Sequence, residues 1–332
     1  MSRNLFVAGV LATIIMVSTG AVARERLSTS YEAGHFFATP QTHDGKNLRL
    51  VVDTGGPGGS GLYVLRAQSV QRLNLPTVPC ELGGERFDLV KPLPFEPGKA
   101  LPAVDHTPCG AVALSLDGQR PVANEDGNLG AGYLPHFIWT FDYPREALWR
   151  ESGDWRPAAG EHAARLGFQR NSKGGKGAGL PRITLVIDGR PLDMLLDTGA
   201  TAFPTEKGIQ ATGTDTVDGV GTTSYITTSV MNRWHRAHPD WRVVVDGDES
   251  GGFKSRLIKV PKVEIAGWLI GPVWFTERAD AAFGPGGISK YTDEEIHGAA
   301  GANIFRHFSM TLDYPRDTAW FECVRDCVAV AK

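Results

Sequence analysis

The chain has 332 residues, 42% of them apolar, with 40 glycines, 21 prolines and a formal charge of −3. That length accommodates two ordinary domains or one large two-lobed unit, and the glycine and proline content points to many turns and mainly β-structure. The near-neutral charge argues against a nucleic-acid-binding surface and against a polyanionic tail.

At the N-terminus, Arg3 is followed by an apolar stretch over residues 5–17 and then by the small-x-small run Ala21-Val22-Ala23. This is the pattern of a secretory signal peptide over residues 1–23, cut after Ala23. The competing reading is an uncleaved anchor, against which stand the short apolar core and the clear cleavage site. No later stretch is apolar and long enough to span a membrane. An exported soluble protein is therefore expected, periplasmic or secreted, and the compact signal leans towards a bacterial envelope.

The first strand is expected near His35-Phe36-Phe37, and Asp44-Gly45 between apolar runs predicts a tight hairpin turn. The returning strand, Leu48-Arg49-Leu50-Val51-Val52, runs directly into Asp53-Thr54-Gly55. An acid at that place is unusual, because ionised Asp is rarely buried without a partner. Further on, Cys80 and Cys109 enclose a stretch rich in Pro and Gly. Asn128-Leu129-Gly130, His136-Phe137, Asp142-Tyr143-Pro144-Arg145 and Trp149 then close a first lobe over residues 24–150. Residues 151–181 are expected to form a linker, with a short helix over 161–170 and a flexible Gly- and Lys-rich tract over 171–179.

The second half, residues 182–332, repeats the first. Leu192-Asp193-Met194-Leu195-Leu196 leads into Asp197-Thr198-Gly199, and Asp188-Gly189 precedes Asp197 by 9 positions, as Asp44-Gly45 precedes Asp53. Downstream come Gly301, His307-Phe308, Asp313-Tyr314-Pro315-Arg316 and Trp320, with the Gly-to-His spacing of 6, His-to-Asp of 6 and Pro-to-Trp of 5 found in the first half. Only the middle differs, 77 residues from Asp53 to Gly130 against 104 from Asp197 to Gly301. A duplication with loop divergence explains five kinds of landmark in one order.

Two acids delivered by equivalent elements can face each other across a pseudo-twofold axis. A carboxylate pair of that kind holds one proton, because like charges a few ångströms apart do not both ionise easily. One member can take a proton from water while the other gives one to a scissile carbonyl oxygen. Gly55 and Gly199 allow backbone amides to approach the carboxylates, and Thr54 and Thr198 supply hydroxyls to fix the geometry.

With these residues the chain resembles a two-lobed aspartic protease of the pepsin/retropepsin superfamily, of bacterial retropepsin-like type. The resemblance rests on Val52-Asp53-Thr54-Gly55, on Leu196-Asp197-Thr198-Gly199-Ala200, and on the Gly segments Asn128-Leu129-Gly130 and Ala299-Ala300-Gly301. It implies an all-β fold of two pseudo-symmetric β-barrel lobes with a cleft between them. Asp53 and Asp197 would be the catalytic pair, and Thr54 and Thr198 would exchange hydrogen bonds between the loops. Leu129-Gly130 and Ala300-Gly301 would back the two loops. The substrate would be a peptide or protein lying extended in the cleft. Only about a dozen residues separate Ala23 from the first strand, so no long inhibitory pro-segment is expected. The chain departs from the family at Gly56, where Ser or Ala is usual and where a more mobile loop follows as an expectation. It also departs at Asn128, normally apolar. For a flap, the candidates are the region from Cys80 to Cys109, with Phe87 or Phe95 as covers, and the Gly-rich stretch over 219–225.

Export makes the cysteines candidates for disulfides. Of three possible pairings, Cys80 with Cys109 and Cys323 with Cys327 is preferred, each within one half. No Cys or His cluster at zinc spacing accompanies Cys323 and Cys327, so neither a metal nor a cofactor is expected. His136 and His307 and the two Asp-Tyr-Pro-Arg segments read as architectural, Trp268 and Trp274 as core or cleft wall, and Trp234, His235, His238 and Trp241 as packing of a long loop in preference to the lining of a substrate pocket. A monomeric exported endopeptidase is the preferred function. A catalytically silent peptide-binding protein with the same fold is the alternative, favoured by Gly56 and Asn128. A two-carboxylate glycosidase is disfavoured by the repeat symmetry.

Overall fold

The computed structural model describes residues 24–116 and 124–330; the expected signal peptide lies outside the described residues. The strands fall into three large sheets and one small one. An eight-stranded sheet is built from the first half and a ten-stranded sheet from the second. A six-stranded sheet takes two central strands from each half, Ile138–Asp142 and Ala147–Glu151 from the first, and Phe308–Asp313 and Thr318–Cys323 from the second. Ile138–Asp142 lies antiparallel to Phe308–Asp313, so the duplicated strands meet at the seam. Among the described residues each large sheet has two ends, so the expected barrels are realised as open sheets.

The same local design recurs in both halves. Leu50–Val52, which carries Asp53, lies parallel to Gly127–Leu129, and Tyr63–Arg66 runs antiparallel on the other side of that short strand. Arg190–Leu196 is parallel to Gly298–Ala300, which is flanked in turn by antiparallel Ser224–Thr227. The close packing of these strands explains the glycines that open them. A Cβ on Gly127 would come within 2.9 Å of the Leu65 Cα, and one on Gly298 within 3.0 Å of the Ile226 Cα. The Asp-Gly turns differ. Asp188 and Gly189 take φ of 54° and 70°, the two-residue turn of a tight hairpin. Asp44-Gly45 sits in a wider loop closed by Thr42 and Lys46.

The Asp-Tyr-Pro-Arg segments are a matched pair of turns. Asp142 and Asp313 each cap a 3₁₀ turn by accepting from the amide of Arg145 or Arg316 at 3.3 Å, and each is bridged by that arginine's guanidinium. Glu146 and Asp317 then leave the turns at φ of 52° and 51°.

Residues 151–181 correct one expectation. The stretch expected to be helical contains the strand His162–Arg165, paired with Thr318–Cys323 at the edge of the seam sheet. The alternating exposure of His162, Ala163, Ala164 and Arg165 suits an edge strand better than a helix face. Leu166, Phe168 and Leu180, on either side of the Gly- and Lys-rich tract, are buried. Trp234 and Trp241 pack edge-on at 5.9 Å within the core of the second half, and His238 stacks on Trp241 at 4.1 Å. Part of the extra length of the second half folds as the helix Glu206–Thr212 and the small sheet of Thr201–Ala202 with Gly221–Thr222. Ser224–Thr227 is an inner strand of the large sheet, whereas Gly219 lies in an exposed turn closed by the bridge of Val217 with Val220.

Candidate active site

Each half delivers one acid by the same device. The apolar strand ends, the amide of the acid is held by the strand beside it, and the chain turns on Thr-Gly. The Asp53 amide donates to the Leu129 carbonyl at 3.0 Å, and the Asp197 amide to that of Ala300 at 2.9 Å. Within each turn the glycine amide donates to a carboxylate oxygen, Gly55 to Asp53 Oδ1 and Gly199 to Asp197 Oδ1, both at 3.0 Å.

The two turns are locked to each other by their threonines. Thr54 Oγ1 donates to the Leu196 carbonyl at 2.6 Å and accepts from the Thr198 amide at 3.0 Å. Thr198 Oγ1 donates to the Val52 carbonyl at 2.7 Å and accepts from the Thr54 amide at 3.1 Å. Both threonines are buried. The lock leaves room for the carboxylates only because each turn has a glycine facing the opposite acid. A Cβ on Gly55 would stand 2.6 Å from the Asp197 Cγ, and one on Gly199 would stand 2.7 Å from the Asp53 Oδ2.

Asp53 and Asp197 therefore face one another, half-buried, within hydrogen-bonding reach. Burial raises the pKa of both above the ordinary carboxylate value. For Asp53 this is opposed by the hydrogen bond from Asp197 and by the amides of Gly55 and Gly56. For Asp197 the charge of Asp53 adds to burial and drives the value well up. The pair thus retains one proton between its two carboxyls while one negative charge stays. Such an arrangement can accept a proton at one oxygen and supply one at another, a few ångströms away.

Gly130 and Gly301 sit behind the two loops. A Cβ on Gly130 would approach the Gly56 carbonyl to 2.8 Å, and one on Gly301 the Ala200 Cβ to 3.0 Å. The expected mobility of the loop from Gly56 is not what the packing gives. The Ala131 amide donates to the Gly56 carbonyl at 3.1 Å, the Gly61 amide donates to the Gly132 carbonyl at 3.0 Å, and a Cβ on Gly58 would meet the Gly132 amide at 2.8 Å. The glycine-rich loop lies backbone to backbone on a second glycine-rich segment. Gly56 has its own reason: a Cβ there would stand 2.6 Å from Asp53 Oδ2.

No family model matches the sequence, and no curated protein matches it. One solved structure to which it is similar is an aspartic proteinase. That crystal structure, from Irpex lacteus, shares 11% identity with this chain, covering 92% of it and 98% of the proteinase at a TM-score of 0.46. At that distance the neighbour says nothing about chemistry, which the geometry of the site has to carry.

The remaining candidates are placed elsewhere. Cys80 is bonded to Cys109 and Cys323 to Cys327, with Cα separations of 6.0 and 6.1 Å. The first bond fastens the hairpin of Thr77–Leu82 and Glu85–Val90, which turns at Gly83-Gly84. Phe87 packs on a small cluster with Leu62, Cys80, Leu89 and Ala111, and Phe95 pairs with Thr42. Asn128 is buried on the strand beside Asp53, and its Oδ1 has no hydrogen-bond partner among the described residues.

Two further side chains border Asp53 that the motifs did not flag. His35 is buried, and its Nε2 lies 3.2 Å from Thr201 Oγ1, which donates to the Gly199 carbonyl at 2.8 Å. Burial lowers its pKa to about 4. Glu125, also buried, is bridged by Arg66. Extending the repeat alignment upstream would have exposed Glu125, since it stands five residues before Gly130 and Ile296 stands five before Gly301.

Proposed function

We propose that the protein is an exported aspartic endopeptidase, a single-chain member of the pepsin/retropepsin kind. In this reading residues 24–150 and 182–332 are its two lobes, joined by 151–181. The observation that carries the reading is the reciprocal lock of Thr54 and Thr198, which sets the Asp53 and Asp197 carboxyls face to face with one proton between them. Because both acids come from one chain, a monomer suffices.

In this reaction a water between the two carboxyls attacks the scissile carbonyl carbon. The ionised member of the Asp53 and Asp197 pair takes the water's proton, and the protonated member gives its own to the carbonyl oxygen. Collapse of the resulting gem-diol transfers a proton to the leaving nitrogen and breaks the C–N bond. Export is supported by the signal-like N-terminus and by two disulfides, which persist in oxidising compartments. No described helix is long and apolar enough to cross a membrane.

The test is incubation of the mature chain with a randomised peptide library from pH 3 to 7, with and without pepstatin, beside Asp53→Asn and Asp197→Asn. Cleavage by the parent alone, blocked by pepstatin, is the expected result. Absence of cleavage at every pH would overturn the proposal in favour of a silent peptide-binding protein. Cleavage that survives either substitution would remove the pair from the chemistry.

A further inference from the structure

The duplication makes each half a control for the other. Strand register equates Val51 with Leu195, Phe37 with Arg182 and Asn128 with Ala299. Two residues before Phe37 and Arg182 stand His35 and Leu180, and five before Gly130 and Gly301 stand Glu125 and Ile296. Arg66 and Thr227 end equivalent strands and precede equivalent helices, and each donates its amide to an equivalent carbonyl, that of Asp126 or His297.

On the Asp197 side four of these positions form one apolar cluster, Leu180, Leu195, Ile296 and Ala299 with Ala131 and Phe283, while Arg182, the counterpart of Phe37, is paired with Asp193 and Asp293. On the Asp53 side they hold His35, Val51, Glu125 and Asn128, and the three polar residues are only 3%, 7% and 6% exposed. A buried ion pair, Arg66 with Glu125, replaces Thr227 and Ile296. Such a pair is a poor stabiliser compared with apolar packing, so its place beside Asp53 calls for another use.

A cavity of about 40 Å³ opens there. Phe37 and Val51 form its apolar wall, while Glu125, His35, Thr201 and Asp53 form the polar one. That volume exceeds the roughly 10–15 Å³ that one water needs and suits the tip of a single unbranched side chain. The charges around it favour a cation. The pair of Asp53 and Asp197 carries one negative charge at its edge, His35 is neutral above about pH 4, and Arg66 and Glu125 offset each other. Arg49, stacked on Phe37, is held by Glu32 at 2.8 Å.

We propose that this cavity receives a substrate side chain beside the scissile bond that ends in a cationic hydrogen-bond donor of the lysine type, with its methylene stem along Phe37 and Val51. The inference rests on the protease reading for its substrate and on the asymmetry of the two halves for its specificity.

The test compares lysine with its uncharged isostere norleucine in a randomised peptide library, read two ways. One readout is cleavage by the mature parent chain. The other is equilibrium retention on immobilised Asp197→Asn protein, which needs no catalysis. The double variant Arg66→Thr/Glu125→Ile transplants the pair from the second half into the first and leaves no lone buried charge. Lysine is expected to be preferred over norleucine by at least about tenfold at one position in both readouts, and by no more than about twofold in the double variant. If that variant does not fold, Glu125→Gln keeps the shape and a hydrogen bond to Arg66, and is expected to lower the preference severalfold. Retention or cleavage without a lysine preference overturns the inference, as does a preference that persists in these variants. Lysine-selective retention without cleavage upholds the cavity and removes proteolysis; cleavage indifferent to lysine does the reverse.

Discussion

Thr54 and Thr198 each donate a hydroxyl to the carbonyl that precedes the other's acid, at 2.6 and 2.7 Å, and each accepts the other's amide. All four bonds are buried, so removing one hydroxyl strands a carbonyl and an amide together. Thr54→Val, nearly isosteric, is expected to lower unfolding free energy by about 3 kcal/mol. Thr54→Ser, which keeps the hydroxyl, should stay within about 1 kcal/mol of the parent. Urea unfolding of the three proteins checks this. Equal stability of the valine variant would mean that the lock does not hold the halves together.

The residues after the two tripeptides are unequal for a physical reason. A methyl group at Gly56 would press on Asp53 Oδ2 at 2.6 Å, whereas Ala200 already carries its methyl, buried near Gly301. Gly56→Ala is therefore expected to displace the Asp53 carboxyl and lower kcat/KM by about 10- to 100-fold. Ala200→Gly should cost about 0.5–1 kcal/mol of stability and change kcat/KM by less than about threefold. Steady-state kinetics on both variants decide. Equal losses would place the asymmetry elsewhere.

These contrasts show what the sequence made legible. Spacing alone matched Asp53 to Asp197 and Gly130 to Gly301, because each acid directly follows its strand and each strand keeps the same register with the short strand beside it. It also reached the two Asp-capped turns. It did not reach the strand His162–Arg165, whose pairing partner lies some 150 residues away and whose short Ala-rich run carries little strand signal. Nor did it reach His35, Arg66 or Glu125. Their meaning comes from which side chains surround Asp53 in space, and the loops between them differ in length from those of the second half. Gly56 read as a departure from a pattern until the position of the Asp53 carboxylate explained it.

Stability should follow the proton of the pair, read at Asp197. Burial and the Asp53 charge raise its pKa well above the value of the unfolded chain. The folded state thus binds that proton more tightly, and the stabilisation is complete below the unfolded carboxylate value near 3.9. It is lost as pH rises through the folded value. Asparagine does not titrate. Asp197→Asn should therefore melt higher than the parent at pH 7, with a gap that narrows towards pH 3. Calorimetric melting curves across that range test it, and a gap that widens in acid would mean that folding does not raise this carboxyl.

His35 acts in the opposite direction. Its folded value of about 4 lies below its ordinary 6.5, because burial outweighs the hydrogen bond to the Gly199 backbone and the attraction of Glu125, with Arg49 adding to the lowering. Asp53 borders the same cavity. Stabilisation by neutral His35 is complete above pH 6.5 and is lost as pH falls towards 4. At 3% exposure, a shift of this size corresponds to about 3 kcal/mol. His35→Gln can keep a hydrogen bond to Thr201 Oγ1 but cannot be protonated in this range. Relative to the variant, the parent should lose about 3 kcal/mol between pH 7 and pH 4 in urea unfolding. A parent and variant that lose stability in parallel would show that His35 is not the acid-sensitive element. If they diverge as expected, the proton that the Asp53 and Asp197 pair requires is gained at falling pH while the support behind Gly199 is weakened, which confines a stable, correctly protonated site to mildly acidic conditions.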